Sequence, residues 1–366
     1  MKPLTLYLLI GFSCVSACFS LPRTAPKAPV TLPATALKPY GRFWINKEMQ
    51  LELISSAAHF GFRFEGRECK VFASLPGGQD HNYLQYALDG VYQKRLKVGK
   101  TTTPLVITAA NAGKHTVWIY KATEAHTGPI AIEKILGENL HTLPNPTAPL
   151  LEFIGNSITC GAASDASEVP CGTGQYHDQH NAYQAYGPRV ARALNANFLL
   201  SSVSGIGIYR NWNSDAPTMP QVYENIDFQP NTPYHWNFAT YSPAVVSLAL
   251  GTNDLSNGDG KTPRLPFDSA RYVSTYVQFI KLVKTKYPRA RIALLSSPMI
   301  TGRNRTLLQN CLTVVKQKTD ANYPADQPVA TYFFQPMQPR GCTNHPSVED
   351  HALLAKELVP FFKKLL

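Results

Sequence analysis

Ser157, Gly205, Asn253 and His345 are the residues whose types, order and setting could together carry out one reaction. A serine hydroxyl is a weak nucleophile until a base takes its proton. A histidine can be that base and can then protonate the leaving oxygen. The tetrahedral intermediate of acyl transfer needs N–H donors aimed at its oxyanion. Ser157 stands in Gly155-Asn156-Ser157-Ile158-Thr159, and Gly205 follows Ser204. Asn253 stands in Gly251-Thr252-Asn253-Asp254, and His345 in His345-Pro346-Ser347. In this reading Ser157 attacks and His345 is base, then acid. The Ser157 and Gly205 backbone N–H groups and the Asn253 amide form the oxyanion hole. Gly205, lacking a side chain, lets the backbone approach closely. Each segment alone is a weak signal, since a Gly-x-Ser turn is common and His345 could merely precede a helix.

The elements around these residues raise their joint weight. Leu150–Ile154, Asn197–Ser202, Val245–Leu250, Arg291–Ser297 and Val329–Phe334 are apolar runs with little alternation, as in parallel strands covered on both faces. Helical stripes lie between them: Tyr186, Val190 and Leu194, then Tyr272, Tyr276, Ile280 and Val283, then Leu307, Leu308, Cys311, Leu312 and Val315. A last helix follows Ser347, with Asp350 completing a variant capping box. Alternating strands and helices predict a layered α/β domain over residues 147–366. In open parallel sheets, function gathers at the carboxyl ends of strands. Ser157, Gly205 and Asn253 all fall just past such ends, and so does His345.

Residues 38–146 read differently. Phe60–Phe64 and Thr116–Tyr120 are strand-like, Leu88-Asp89-Gly90 reads as a hairpin turn, Leu105–Thr108 as a strand and Asn111–Lys114 as a turn. Short strands at regular spacing predict an antiparallel β-sandwich. Trp44, Phe60 or Trp118 could stack on sugar there, but filling the sandwich core is the preferred reading.

The N-terminus predicts export. Lys2, the apolar Leu4–Phe12 and then small residues form a signal segment over residues 1–18, too short for a membrane span. Val15-Ser16-Ala17-Cys18 resembles a bacterial lipobox, which would attach lipid at Cys18; cleavage near Ala17 is the plainer alternative. Either outcome implies a periplasmic, outer-membrane lipoprotein or secreted location, with membrane contact only through that anchor. Residues 19–37 are rich in Pro, Ala and Thr and read as a linker. The formal charge of +11 is scattered, so nucleic acid is not an expected partner. Cys160 and Cys171 bracket a loop and could staple it; Cys311 and Cys342 are another candidate pair, though Cys311 also suits a buried apolar site. Tyr176-His177-Asp178-Gln179-His180 offers too few ligands for a metal and reads as solvated loop. No metal or cofactor is expected.

The order Ser, Gly, Asn, His resembles that of the SGNH hydrolases. With Gly113–Val117 and Lys121–Ala125 ahead of the Gly155–Gly161 block, then Asn181–Tyr183, Ser204–Gly207 and Tyr209–Asn211, the chain resembles carbohydrate esterase family 2. That resemblance implies a jelly-roll domain followed by an SGNH hydrolase domain with a five-stranded parallel sheet flanked by helices. It implies a serine esterase removing O-acetyl groups from plant polysaccharides or oligosaccharides. Tyr209, Trp212 and Trp236 would stack on sugar rings or pack under a loop. The sequence departs from the family pattern in three places. Asn156 replaces the usual Asp before the serine, Cys342 and Thr343 stand where an acid usually precedes the histidine, and residues 162–180 match poorly. The second departure predicts a Ser–His dyad whose ring is oriented by the Cys342 or Thr343 carbonyl. Asp254 would support its loop and not replace that acid. A lipase or thioesterase on the same fold would want a long apolar stripe along its cleft, where aromatic and polar residues stand instead. A sugar-binding protein with a degenerate hydrolase domain would explain the absent acid, but Ser157, Asn253 and His345 are all intact.

Overall fold

The computed structural model describes residues 28–144 and 146–366. The export segment and Cys18 lie outside them. Among the described residues, no helix is long and apolar enough to cross a membrane.

The N-terminal domain is antiparallel. Its strands are β1 (Val30–Pro33), β2 (Phe43–Ile45), β3 (Leu51–Leu53), β4 (His59–Ser74), β5 (His81–Leu88), β6 (Val91–Gly99), β7 (Thr103–Lys121) and β8 (Ile130–Thr142). They pair in the order β2-β3-β8-β4-β7-β5-β6, with β1 also on β8. Phe60, Phe62, Phe64, Val71, Ile107, Val117 and Ile132 are buried among them. Phe60 is thus a core residue, while Trp44 is half-buried against Tyr234. The β5–β6 turn has φ of +51° at Asp89 and +82° at Gly90, the left-handed pair that a tight hairpin requires.

Two expectations need correction here. Residues 30–37 are not linker: β1 pairs with Lys134–Gly137, and Leu32, Ala34 and Leu37 are buried. Composition averaged over a Pro-rich stretch concealed a strand of 4 residues. Asn111–Lys114 is not a chain reversal either, because β7 runs through it. Gly66 faces Gly113 and Glu68 faces Thr108, so the polar residues between form an irregularity in one long strand.

The second domain begins with β9 (Leu150–Gly155) and continues α1 (Ser157–Cys160), α2 (Tyr186–Ala193), β10 (Asn197–Ser202), α3 (Met219–Val222), β11 (Val245–Ala249), α4 (Thr252–Leu255), α5 (Ser269–Lys286), β12 (Arg291–Leu295), α6 (Gly302–Asn322), β13 (Ala330–Tyr332) and α7 (Val348–Lys363). The sheet is parallel throughout, in the order β10-β9-β11-β12-β13. Side-chain alternation divides the core. Leu151 and Phe153 pack with α2 and α7, while Ile154 faces the side of α5 and α6. The chain passes from β9 to β10 on one side and to β11 on the other, which makes the end of β9 the crevice where such sheets place their sites.

The domains meet through buried polar groups. Arg42 Nη1 donates to the Asn225 carbonyl at 2.5 Å and Nη2 reaches Ser201 Oγ at 3.5 Å. Ser201 in turn donates to Glu152 at 2.6 Å, and Tyr223 donates to the same carboxylate at 3.0 Å. The Arg42 guanidinium also lies 4.0 Å from the centre of the Phe228 ring. Removing one partner from a buried charged network leaves the other uncompensated. Arg42→Ala should therefore lower the unfolding free energy by about 3 kcal/mol, read as an earlier urea midpoint. An unchanged midpoint would show that this network does not clamp the domains.

Candidate active site

The β9, β10 and β11 ends lie level in the sheet. Gly155 is the register partner of both Ser202 and Ala249. Ser157 lies beyond the first, Gly205 beyond the second and Asn253 beyond the third, so one lateral row of strands brings them together. Asn156 caps α1, its side-chain oxygen accepting the Ile158 N–H at 3.1 Å. The turn bond expected of Asp at this position is therefore kept by the amide. Ser157 sits at the first position of α1.

His345 reaches Ser157 from far along the chain. Its Nε2 is 2.9 Å from Ser157 Oγ. Its Nδ1 faces the Thr343 carbonyl at 3.0 Å and the Thr343 hydroxyl at 3.1 Å. Of the two candidate carbonyls, that of Thr343 is the one at the ring. Among the described residues, no carboxylate is bonded to His345. Thr343 and Asn344 both have positive φ, +49° and +58°. A β-branched residue in that region is strained. The backbone bonds Gly341 N–His345 O and Cys342 N–Ala163 O, each 2.8 Å, hold the loop in this conformation. So does a disulfide between Cys342 and Cys171. That pairing corrects both expected ones: Cys160 and Cys311 are free and buried. Pairing followed proximity in space, across 171 residues, and not proximity in sequence.

The segment around Gly205 and Asn253 is held from several sides. Gly205 has φ of +76°, and a Cβ there would meet nothing within 4 Å. The glycine therefore serves backbone conformation, not close packing. Asn253 Nδ2 donates to the Ile206 carbonyl at 2.8 Å, which orients the amide and leaves its second N–H for another acceptor. Asp254 accepts the N–H groups of Ile208, Tyr209 and Arg210 at 2.9–3.3 Å, so it clamps the loop and does not reach His345. Burial raises its pKa to about 6, against those hydrogen bonds.

The aromatic candidates separate. Trp212 is 47% exposed, and its backbone N–H donates to the Gly205 carbonyl at 2.8 Å. Tyr209 is half-buried beside Phe267, its hydroxyl taking the Asp268 N–H at 3.0 Å. Trp236 is 7% exposed and packs against Phe43 and Tyr241, so it belongs to the core and not to a sugar platform. The expected solvated loop is largely buried as well: Asp178, Gln179 and His180 are enclosed, and Asp178 bonds His81 of β5 at 2.5 Å. Tyr176 from this loop brings its hydroxyl within 3.5 Å of His345 Nε2 and 3.4 Å of Ser204 Oγ. Sequence reading missed Tyr176, since its neighbours His177 and His180 drew attention toward metals. His81, His177 and Asp178 do converge, but their facing atoms are already hydrogen-bonded to one another or to backbone.

Residues 40–146 match the model of the carbohydrate esterase 2 N-terminal domain, and residues 153–331 that of the GDSL-like lipase/acylhydrolase family. The chain belongs to carbohydrate esterase family 2. It is 30% identical over 343 residues to the cellulase/esterase CelE of Acetivibrio thermocellus, covering 89% of this chain but only 39% of that protein. It is 27% identical to an acetylxylan esterase/glucomannan deacetylase of Cellvibrio japonicus, over 81% of this chain and 80% of that one. A family two carbohydrate esterase from Clostridium thermocellum, solved with cellohexaose, superposes with a TM-score of 0.78 at 27% identity, covering 90% of this chain and 98% of that chain. These named relatives are carbohydrate esterases, that is, carboxylic ester hydrolases.

The environment of His345 is testable directly. Burial pushes its pKa below the ordinary imidazole value, partly offset by the Thr343 carbonyl. Titration by NMR should find it below 6.5. Thr343→Asp places a carboxylate where the hydroxyl now meets Nδ1, and Asp tolerates positive φ better than Thr. The imidazolium would gain a negative neighbour, so the His345 pKa should rise. A pKa that stays put in this variant would mean that Nδ1 does not face position 343 in solution.

Proposed function

We propose that this protein is a serine deacetylase that removes O-acetyl groups from plant polysaccharides or oligosaccharides. The observation that carries the reading is the Ser157–His345 hydrogen bond, set at the crevice of a parallel sheet beside Gly205 and Asn253. Ser157 Oγ attacks the acetyl carbonyl while Nε2 of His345 takes its proton. The oxyanion is met by the Ser157 and Gly205 N–H groups and the free N–H of the Asn253 amide. His345 then protonates the departing sugar oxygen, and water repeats the cycle to release acetate. Thr343 keeps the ring proton on Nδ1, so that Nε2 is the basic nitrogen. The printed activities of the relatives support the substrate class, and Trp212 offers an exposed ring beside the oxyanion segment for a sugar. Export is proposed as well, from the leader and the Cys18 lipobox; the Cys171–Cys342 disulfide favours an oxidising compartment.

Ser157→Ala should abolish hydrolysis of a chromogenic acetyl ester and of acetylated xylan, with the thermal melt unchanged. Substantial residual turnover in a clean preparation would exclude Ser157 as nucleophile. Asn253→Ala removes one oxyanion donor and should lower kcat by roughly 10²–10³-fold. A raised KM at constant kcat would instead give Asn253 a role in ground-state binding.

A further inference from the structure

Glu124 belongs to the N-terminal domain, in the turn after β7, yet its side chain ends inside the hydrolase domain. It is 4% exposed. Oε2 accepts the Ser204 backbone N–H at 2.5 Å and lies 3.6 Å from the Cys160 thiol. Oε1 lies 3.5 Å from His180 Nε2. His180 is fully buried, and its Nδ1 accepts the Ala163 N–H at 3.3 Å, which places the ring proton on Nε2 and aims it at Glu124. The Tyr176 ring stands edge-on to His180, 4.7 Å between centres, and its hydroxyl reaches His345 and Ser204. Lys121 fixes the turn from behind. Its buried Nζ donates to the Glu124 carbonyl at 2.5 Å, to the Thr123 carbonyl at 3.2 Å and to Thr127 Oγ1 at 3.3 Å.

We propose that Glu124 is a positioning residue for the hydrolytic site: from across the domain seam it fixes the Ser204–Gly205 oxyanion segment and holds His180, against which Tyr176 packs beside His345. The inference rests on the esterase reading above. Ser204 N–H is the donor immediately before Gly205 N–H. Fixing one peptide plane restricts the next, and the oxyanion donor is useful only when already aimed. A carboxylate suits this place because both of its oxygens accept, whereas an amide presents one acceptor and one donor. Burial acts to raise the Glu124 pKa, but the His180 and Ser204 hydrogen bonds together outweigh it and hold the pKa at about 2, so the group stays charged. Of the groups near His345, Glu124 favours the imidazolium. Tyr176 is uncharged, its pKa pushed up by burial, and His351 is neutral, pushed down to about 3. Lys121 faces Glu124 and not His345, and burial draws its pKa down to about 7.

The test uses the full chain, with Glu124→Gln and Glu124→Asp. In the Gln variant either Ser204 N–H or His180 Nε2–H must face an amide donor. We expect kcat for an acetyl ester to fall roughly 10–100-fold, with KM changed less than about twofold. Loss of the anion should also move the His345 pKa, read by NMR and as the acid limb of kcat/KM, to lower pH, because the imidazolium loses a stabilising charge. The Asp variant keeps the charge but shortens its reach. Its kcat should fall while its His345 pKa stays nearer wild type. If the Gln variant does not fold, the Asp variant carries the kcat test. An effect confined to KM, or an unchanged kcat in both folded variants, overturns the proposal. Wild type inactive on every acetyl ester would sink the esterase reading instead, while the NMR titration would still decide whether Glu124 acts on His345.

Discussion

A single hydrogen bond, from Ser157 to His345, joins residues 188 positions apart and sets the terms for the rest of the molecule. The two residues are held in different ways. Ser157 is fixed by secondary structure, because β9 is an interior strand of a parallel sheet and cannot shift without breaking ladders to β10 and β11. His345 sits on irregular chain between β13 and α7. Its position is determined by a strained Thr343–Asn344 pair, a disulfide to the loop of residues 162–180, and the capping box of Ser347 and Asp350 that starts α7. The strain is tolerable because several independent bonds enforce it.

The seam between the domains follows from the same need. The loop that receives Cys342 is itself packed on the sandwich. Gln85 meets Asn181 at 2.5 Å, the Ala182 N–H meets the Ala122 carbonyl at 3.0 Å, and Arg95 meets the His180 carbonyl at 3.2 Å. The N-terminal domain thus forms part of the wall behind Ser157. Its buried polar groups are paired with the hydrolase domain, and removing one partner within the closed seam would leave the other desolvated and unpaired.

Most of the sheet, and the row Ser157, Gly205 and Asn253, could be read from the sequence because both depend on local pattern: buried apolar runs ended by turn residues. The capping box at Ser347 was legible for the same reason. What the sequence hid is long-range. The Cys171–Cys342 pairing, the burial of His180 and the reach of Tyr176 depend on how loops fold over one another, which periodicity does not encode. Trp236 illustrates the ambiguity of single aromatics. A ring after a strand can face solvent or fill a hole, and here the Arg42 guanidinium 5.7 Å from its centre marks it as part of the buried seam. Residues 30–37 failed for a different reason: a short edge segment is decided by its partner β8, not by its own composition.

An acid-free base changes what the site must optimise. In the proposed mechanism, deprotonating Ser157 forms an imidazolium and an oxyanion together, so the transition state separates charge that was absent before. A carboxylate on Nδ1 would stabilise one half of that pair; a carbonyl orients the ring but carries no net charge to offset the cation. The half-buried ring has a lowered pKa, so more of it is neutral in mildly acidic surroundings, but it is a weaker base. The lost driving force must then be recovered on the oxyanion side, where preorganised donors act without reorganising as charge appears. That accounts for the density of fixed bonds around Gly205: Trp212 on its carbonyl, Asn253 on Ile206, Asp254 on the three amides beyond, and a carboxylate from the other domain on Ser204.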